Sequence, residues 1–477
     1  MIDSIRKIAQ ENPNALALDD GEKAWTYREL DDAVEDRASQ LLDLGAGPGI
    51  TVALVSEVDA LAVQYVHAVF RTGSILVPVS PRSGLQGTVI DQLNPQIVLL
   101  SKQTGLTSGS FCGEYEHRND MVSVIGQFAS WTIKNSDRRK RLKSEKTGEL
   151  PAAFLLTSGT DGASKSVSIM HHALTHSADS VSLRLGLSNE DRWYASLSLA
   201  HIGGLALIHR AAWTGSALIV KAPFSIKNLV DMIDSYSISH TSLVPTMLYQ
   251  LLDSRAGKPI PATLKALLIG GAPLSASLLT RALEESYPIV STYGMTETCS
   301  QVATASVDLV KKKPGTVGAP IGGVEVKIAE DQEIWVRGPT VTDDVSDEVG
   351  WFATGDLGEL DEEGHLWVIG RRRDIIITGG VNVDPLKVAE EIRTISGVYD
   401  VAVIGFPDTI WGEVVGALVV TQSGESLSRV IILEALKDSL SKSEVPRLLS
   451  YAPEIPMNAN GKINRKAILK ILDDSRI

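Results

Sequence analysis

Cysteine is almost missing from this chain: Cys112 and Cys299 are the only two in 477 residues. Two cysteines give neither a disulfide framework nor a metal-ligand spacing, which fits a reducing cytosol. Positive charge is also in deficit. There are 45 Lys and Arg against 58 Asp and Glu, a net charge of −13. That argues against nucleic acid as the main partner, because a binder of the phosphate backbone is usually basic. No run of about 18 apolar residues occurs, so no membrane span is expected. The opening segment "MIDSIRKIAQENPNALALDD" is charged throughout and has no apolar signal core. These absences point to a cytoplasmic protein. Internal repeats and low-complexity tracts are absent too.

What is present is ordinary globular material, 44% hydrophobic and 22% charged. At roughly 150 residues per domain the length suggests two or three domains. From residue 14 to 100, helical and strand patterns alternate. "TYRELDDAVEDRASQLLDLG" (26–45) has apolar residues at helical spacing and a glycine stop. "ITVALV" reads as a buried strand, "LAVQYVHAVFRTG" as a helix and "SILVPVSP" as another strand. Such alternation predicts a parallel sheet with helices on its faces. The charge run "NSDRRKRLKSEKTGEL" (135–150) reads as a solvated linker. More βα units run to about residue 300. Between 315 and 370, short strands with glycine turns predict a small antiparallel barrel or sheet. A compact α+β piece with the order helix, strand, strand, helix follows "GRRRD" (370–374).

The stretch "TSGTDGASKSVSIMHH" (157–172) gathers small hydroxyl-bearing residues around one lysine. Gly159, Lys165 and Ser166 nearly fit G-x-x-x-x-G-K-[ST], but Ser164 stands where the second glycine belongs. That glycine lets backbone N–H groups close on the phosphates, so the misfit is serious. Four further blocks follow in the chain: "STYGMTET" (291–298), "GWFATGDLG" (350–358), "GRRRDIIITGGVNVDP" (370–385) and "NANGKINR" (458–465). Together with the first run they resemble, in order and over almost the whole chain, the five motifs of the adenylate-forming superfamily. That superfamily includes acyl-CoA synthetases, firefly luciferase and peptide-synthetase adenylation domains.

The resemblance implies an α/β fold. A large N-terminal adenylation domain of parallel βα layers with a small β-barrel subdomain would span 1–370. A small mobile α+β domain would span 371–477. It also implies an acid–thiol ligase working in two steps. A carboxylate first attacks the α-phosphate of ATP, giving an acyl-adenylate and pyrophosphate. A thiol, coenzyme A or a carrier protein's, then displaces AMP. The first transition state gathers negative charge and needs cations and N–H donors aimed at phosphate oxygens.

By the same resemblance Thr157, Ser158, Gly159, Thr160, Gly162 and Lys165 would hold the β- and γ-phosphates. Gly270, Gly271 and Ala272 would let backbone approach the adenine, with Tyr293 offering its aromatic face and Gly294 beside it. Thr296 would donate to the α-phosphate, and Glu297 is the hard oxygen ligand that Mg2+ prefers. Asp356 would accept both ribose hydroxyls, with Arg371 next to it. Lys462 would enter the site for adenylation, after which the C-terminal domain rotates. Gly379 and Gly380 would then flank the pantetheine arm, and Trp411, in "WGE", would belong to the thiolation face. The chain departs from the pattern at Asp161, Ala163, Ser164, Ser166 and Arg373. Asp161 adds a negative charge where phosphates are expected.

Within the superfamily the nearest resemblance is to the o-succinylbenzoate–CoA ligases of menaquinone biosynthesis. It is carried by "YASLSLAHIGGLALIHRAAWTGSALIV" (194–220), "YGMTETCSQVAT" and "TGGVNVDP". His201 would lie at the attacked carboxylate, with Gly294 also touching the acid. Arg210 would meet a second, distal carboxylate. Gly203 replaces a serine of that pattern. The implied substrate is a dicarboxylic aromatic acid. Open alternatives are a CoA ligase for another aryl or medium-chain acid, a stand-alone domain loading a carrier protein, and a non-catalytic nucleotide binder. A homo-oligomer is compatible with the sequence, which does not fix the oligomeric state.

Overall fold

The computed structural model describes residues 3–81, 92–101, 121–125, 128–132, 149–158, 164–421, 427–437, 439–457 and 463–475. The charge run 135–148 lies outside them, as does Cys112. The chain divides into two compact units. One draws on residues 1–271, 282–326 and 336–352, the other on 272–281, 327–335 and 353–477.

The first unit contains two sheets. One has seven strands in the order Met121–Ile125, Phe128–Thr132, Ile97–Ser101, Thr51–Val55, Ile75–Val79, Ala153–Ser158, Ser164–Ile169. Its central strands, such as Thr51–Val55 and Ile75–Val79, pair in parallel and are buried along their whole length. A strand covered on both faces needs an unbroken apolar run, and "TVALV" and "ILVPV" supply it. The second sheet has eight strands: Ser300–Thr304, Ile289–Met295, Ala266–Ile269, His240–Leu243, Arg192–Tyr194, Ala217–Ile219, Leu16–Asp19, Ala24–Thr26. Leu18 near the N-terminus pairs in parallel with Leu218.

The helix expected over 26–45 forms over Tyr27–Asp43. A capping box starts it: Glu29 N–H donates to Thr26 Oγ1 at 3.3 Å, and Thr26 N–H donates to Glu29 Oε2 at 2.8 Å. Its row Tyr27, Leu30, Val34, Ala38 and Leu41 is buried. The charged opening segment also holds a helix, Ser4–Glu11, capped by Asp3. None of the described helices is long and apolar enough to cross a membrane.

Of the two forms expected for 315–370, a four-stranded sheet is found, in the order Glu325–Ile328, Glu333–Arg337, Trp351–Leu360, Leu366–Arg371. The second unit carries a five-stranded sheet. The long hairpin Val398–Asp408 with Gly412–Thr421 has a two-residue period from Val401 on, after an irregularity between Val398 and Asp400. Val401, Val403, Val415, Ala417 and Val419 meet the helix Pro385–Arg393 through Val388, Ala389 and Ile392. Ala402, Ile404, Phe406, Leu418 and Val420 meet the terminal helix Arg465–Asp474 through Ile468 and Leu472. Alternate side chains thus fill two cores on opposite faces of one sheet.

Candidate active site

Strands Ala153–Ser158 and Ser164–Ile169 form an antiparallel hairpin, with Thr157 opposite Lys165 and Ser158 opposite Ser164. Thr157 Oγ1 donates to the Lys165 carbonyl at 3.3 Å. The turn itself, including Gly159, Thr160 and Gly162, lies outside the described residues, as do the side chains of Ser158 and Ser164. Lys165 is exposed. On the same strand, Ser168 N–H donates to Asp344 Oδ2 at 3.1 Å.

Strand Ser164–Ile169 packs against the short turn Thr296–Thr298. That turn joins strands Ile289–Met295 and Ser300–Thr304, and several hydrogen bonds fix it. Met295 N–H donates to Thr298 Oγ1 at 3.2 Å, and Thr342 N–H donates to the Glu297 carbonyl at 2.9 Å. Thr296 and Glu297 are half-buried beside the hairpin. No group of three or more His, Cys, Asp or Glu is placed to hold a metal among the described residues. A Mg2+ ion at Glu297 would complete its shell with phosphate oxygens and water, as is usual for this ion at nucleotide sites.

Glycines keep the neighbouring backbone open. A Cβ on Gly294 would stand 1.8 Å from the Ser300 carbonyl oxygen, and one on Gly270 would stand 2.4 Å from Thr292 Oγ1. Gly270 and Gly271 follow strand Ala266–Ile269, which runs parallel to the strand bearing Tyr293. Tyr293 itself is 8% exposed, so most of its ring is covered.

Helix Ile202–Thr214 begins at His201, its N-cap, which is half-buried. Gly203 and Gly204 press its first turn onto the preceding loop. A Cβ on Gly203 would lie 2.9 Å from Leu197 Cδ1, and one on Gly204 would lie 2.2 Å from the Ser198 carbonyl. Arg210 is on the same helix and is 2% exposed. An isolated helix arginine would be expected in solvent; this one is interior. Its Nε has no hydrogen-bond partner, and no carboxylate pairs with it among the described residues. Burial lowers its pKa to about 10, which leaves it charged at neutral pH. Cys299, in a left-handed conformation at φ 48, is the neighbour that shares its field. Burial pushes that thiol up to about 12, so it stays protonated. The helix that bears Arg210 packs against strand Ser300–Thr304, which follows the turn that carries Thr296 and Glu297. Trp193, whose ring centroid is 5.6 Å from the guanidinium carbon, is a neighbour that no sequence motif marks. Nothing in its local pattern sets it apart from a core strand residue.

In the second unit, Asp356 and Arg371 are register partners on adjacent strands, and Arg371 Nε is 3.0 Å from Asp356 Oδ1. Asp356 is buried. Gly379 and Gly380 take φ of 58° and 82°. A Cβ on Gly379 would meet Trp411 Cε3 at 2.5 Å, and Gly379 N–H donates to the Trp411 carbonyl at 2.9 Å. The indole is half open to solvent and carries Arg447 over its ring at 3.9 Å. Gly379, Gly380 and Trp411 thus form one surface. Ala272 also belongs to this unit. Lys462 and Gly461 lie outside the described residues.

Comparison with known proteins agrees with this reading. The model of the AMP-binding enzyme family matches residues 5–343, and that of the AMP-binding enzyme C-terminal domain matches 387–462. The chain is 30% identical to a 2-succinylbenzoate–CoA ligase of Bacillus pumilus, over 98% of each chain. It is 31% identical to the enzyme of the same name from Bacillus subtilis, over 96% of each. Among solved structures, it superposes on o-succinylbenzoate CoA synthetase from Bacillus subtilis in complex with the acyl-adenylate OSB-AMP. The TM-score is 0.83 at 28% identity, covering 98% of this chain and 97% of that one. The same enzyme with ATP and a magnesium ion gives a TM-score of 0.83 at 28% identity, covering 99% of both.

Proposed function

The chain belongs to the AMP-binding enzyme family, and on that premise we propose that it is an ATP-dependent 2-succinylbenzoate–CoA ligase of menaquinone biosynthesis, working in the cytoplasm. The observation that carries the substrate is Arg210: a buried guanidinium with no carboxylate paired to it among the described residues, on the helix that starts at His201. A buried charge without a partner is costly, and a second carboxylate of the substrate supplies one through a bidentate pair.

In the first half-reaction an oxygen of the acid's other carboxylate forms a bond to the α-phosphorus of ATP. The bond to the bridging oxygen breaks and pyrophosphate leaves with those electrons. Thr157, Ser158, Gly159, Thr160, Gly162 and Lys165 hold the departing phosphates. Thr296 donates to the α-phosphate, and Lys462 bridges carboxylate and phosphate oxygens. Glu297 would hold Mg2+, which would neutralise phosphate charge. Gly270, Gly271, Ala272, Tyr293 and Gly294 receive the adenine, and the buried carboxylate of Asp356 accepts the ribose hydroxyls while Arg371 orients it. In the second half-reaction the thiolate of CoA attacks the acyl carbon and AMP leaves. We assign that step to the face of Gly379, Gly380 and Trp411, with residues 371–477 moving as one domain against 1–370. A second reading, a CoA ligase for a simpler aryl or medium-chain acid, is favoured by Gly203, which offers no hydroxyl.

The test is pyrophosphate release and thioester formation with ATP, Mg2+ and CoA across an acid panel. 2-Succinylbenzoate should exceed benzoate and hexanoate in kcat/KM by about a hundredfold, as expected when a buried polar group is left unpaired by the wrong acid. Preference for benzoate or hexanoate would move the assignment to the second reading. Acyl transfer only to a carrier protein would make the chain a loading domain.

A further inference from the structure

Trp193 lies on the strand Arg192–Tyr194, directly across from His240 on the parallel neighbour. The register puts both rings on one face of the sheet. They stack at 4.8 Å with 25° between planes. Trp193 is fully buried, yet its indole N–H has no hydrogen-bond partner among the described residues. A buried tryptophan normally spends that N–H. The position keeps an indole while its N–H goes unspent, so what it gains comes from the ring face. What the ring touches is Arg210, 5.6 Å from centroid to guanidinium carbon.

We infer that Trp193 is a positioning residue for Arg210, holding the guanidinium by its π face so that its N–H fork stays open for the substrate's second carboxylate. This rests on the role given to Arg210 above. A carboxylate in place of the indole would fix the arginine equally well, but it would occupy the fork and cancel the charge. An aromatic face attracts the cation and takes no hydrogen bond from it. The groups behind the indole fit that purpose. His240 Nδ1 lies 2.7 Å from Ser239 Oγ and 3.6 Å from Asp191 Oδ1. Asp191 is already engaged by Lys265 Nζ at 2.7 Å and by Ser188 N–H at 2.8 Å. Among the described residues, the acid behind the imidazole is therefore already engaged. Burial pushes His240 down to about 4, so the ring stacked on the indole brings no competing positive charge at neutral pH.

The experiment compares the parent with Trp193→Phe and Trp193→Leu on 2-succinylbenzoate and on two monocarboxylates, 3-benzoylpropionate and 2-butyrylbenzoate. Each monocarboxylate lacks one of the two acid groups, and the one that is turned over serves as reference. The ratio of KM for the diacid to KM for the reference should rise about threefold in Trp193→Phe and about tenfold in Trp193→Leu, following the strength of the cation–π contact. kcat on the reference should stay within about twofold. If Trp193→Leu does not fold, the Phe variant decides alone. An unchanged ratio, or equal losses on both acids, would overturn the inference and leave Trp193 as packing. A parent that does not favour the diacid would instead overturn the role of Arg210, and it is seen before any variant is compared.

Discussion

Arg210 in the first unit is 2% exposed and faces a tryptophan and a thiol. Three arginines of the second unit are treated differently. Arg371 pairs with Asp356 at 3.0 Å, Arg372 with Asp331 at 2.8 Å and Glu333 at 3.1 Å, and Arg465 with Asp374. These pairs are partly or largely exposed, where an ion pair contributes about 0–1 kcal/mol. Their value is geometric: they fix Asp356 and the segment from 371 to 374. The interior arginine contributes nothing of that kind until an anion arrives. Those pairs close charges on each other and so hold a shape, as the buried Arg255 does with Asp234 in the first unit. Arg210 leaves a charge open and so selects a ligand.

The largest break in this contrast is expected from the lysine of the last motif. Lys462→Ala should slow adenylate formation by about a thousandfold, because a cation aimed at a transition-state charge is lost. Thiolation of a supplied acyl-adenylate should be nearly unaffected. Single-turnover rates of the two half-reactions check it, and equal losses in both would contradict a moving C-terminal domain. A smaller effect concerns stability. Arg210→Met should raise the free energy of unfolding by about 1 kcal/mol, since it removes an uncompensated buried charge at similar volume. Arg371→Met should not, because it strands the buried Asp356 carboxylate. Urea titration of the two variants measures the difference, and a destabilised Arg210→Met would mean that an anion pairs with the charge in the free protein. The smallest effect is in the phosphate loop. Asp161→Thr with Ser164→Gly should lower the KM for ATP a few-fold, because a carboxylate beside a polyanion repels it by roughly a kcal/mol or more. Steady-state KM for ATP checks this; no change, or a rise, would show that the loop compensates for its own departures.

Much of this architecture was legible in the sequence. The strand "ITVALV", the helix from Tyr27 and the helix–strand–strand–helix order after 385 follow from apolar period and capping residues, and each forms within a few positions of its expected bounds. The charged helix Ser4–Glu11 was hidden because its apolar face is only a few residues wide. Contacts fixed by register were not legible either. Leu18 pairs with Leu218, and Trp193 lies across from His240; neither follows from local period, because strand order is set by packing between distant segments. The motif blocks nominated Arg210 for a distal carboxylate, but on residues alone it was as readable as a solvated helix arginine. Only its place in the folded helix, facing inward among Trp193 and Cys299, separates the two.

The central claim is that this open, buried cation recognises the second carboxylate of the acid. The direct measurement is KM for 2-succinylbenzoate and for the reactive monocarboxylate in the parent and in Arg210→Ala. The variant should raise KM for the diacid at least a hundredfold, as the loss of about 3–5 kcal/mol on breaking a buried charged pair implies. KM for the monocarboxylate should stay within about twofold, since it never meets the guanidinium. Equal rises for both acids would contradict the account and reduce Arg210 to scaffold.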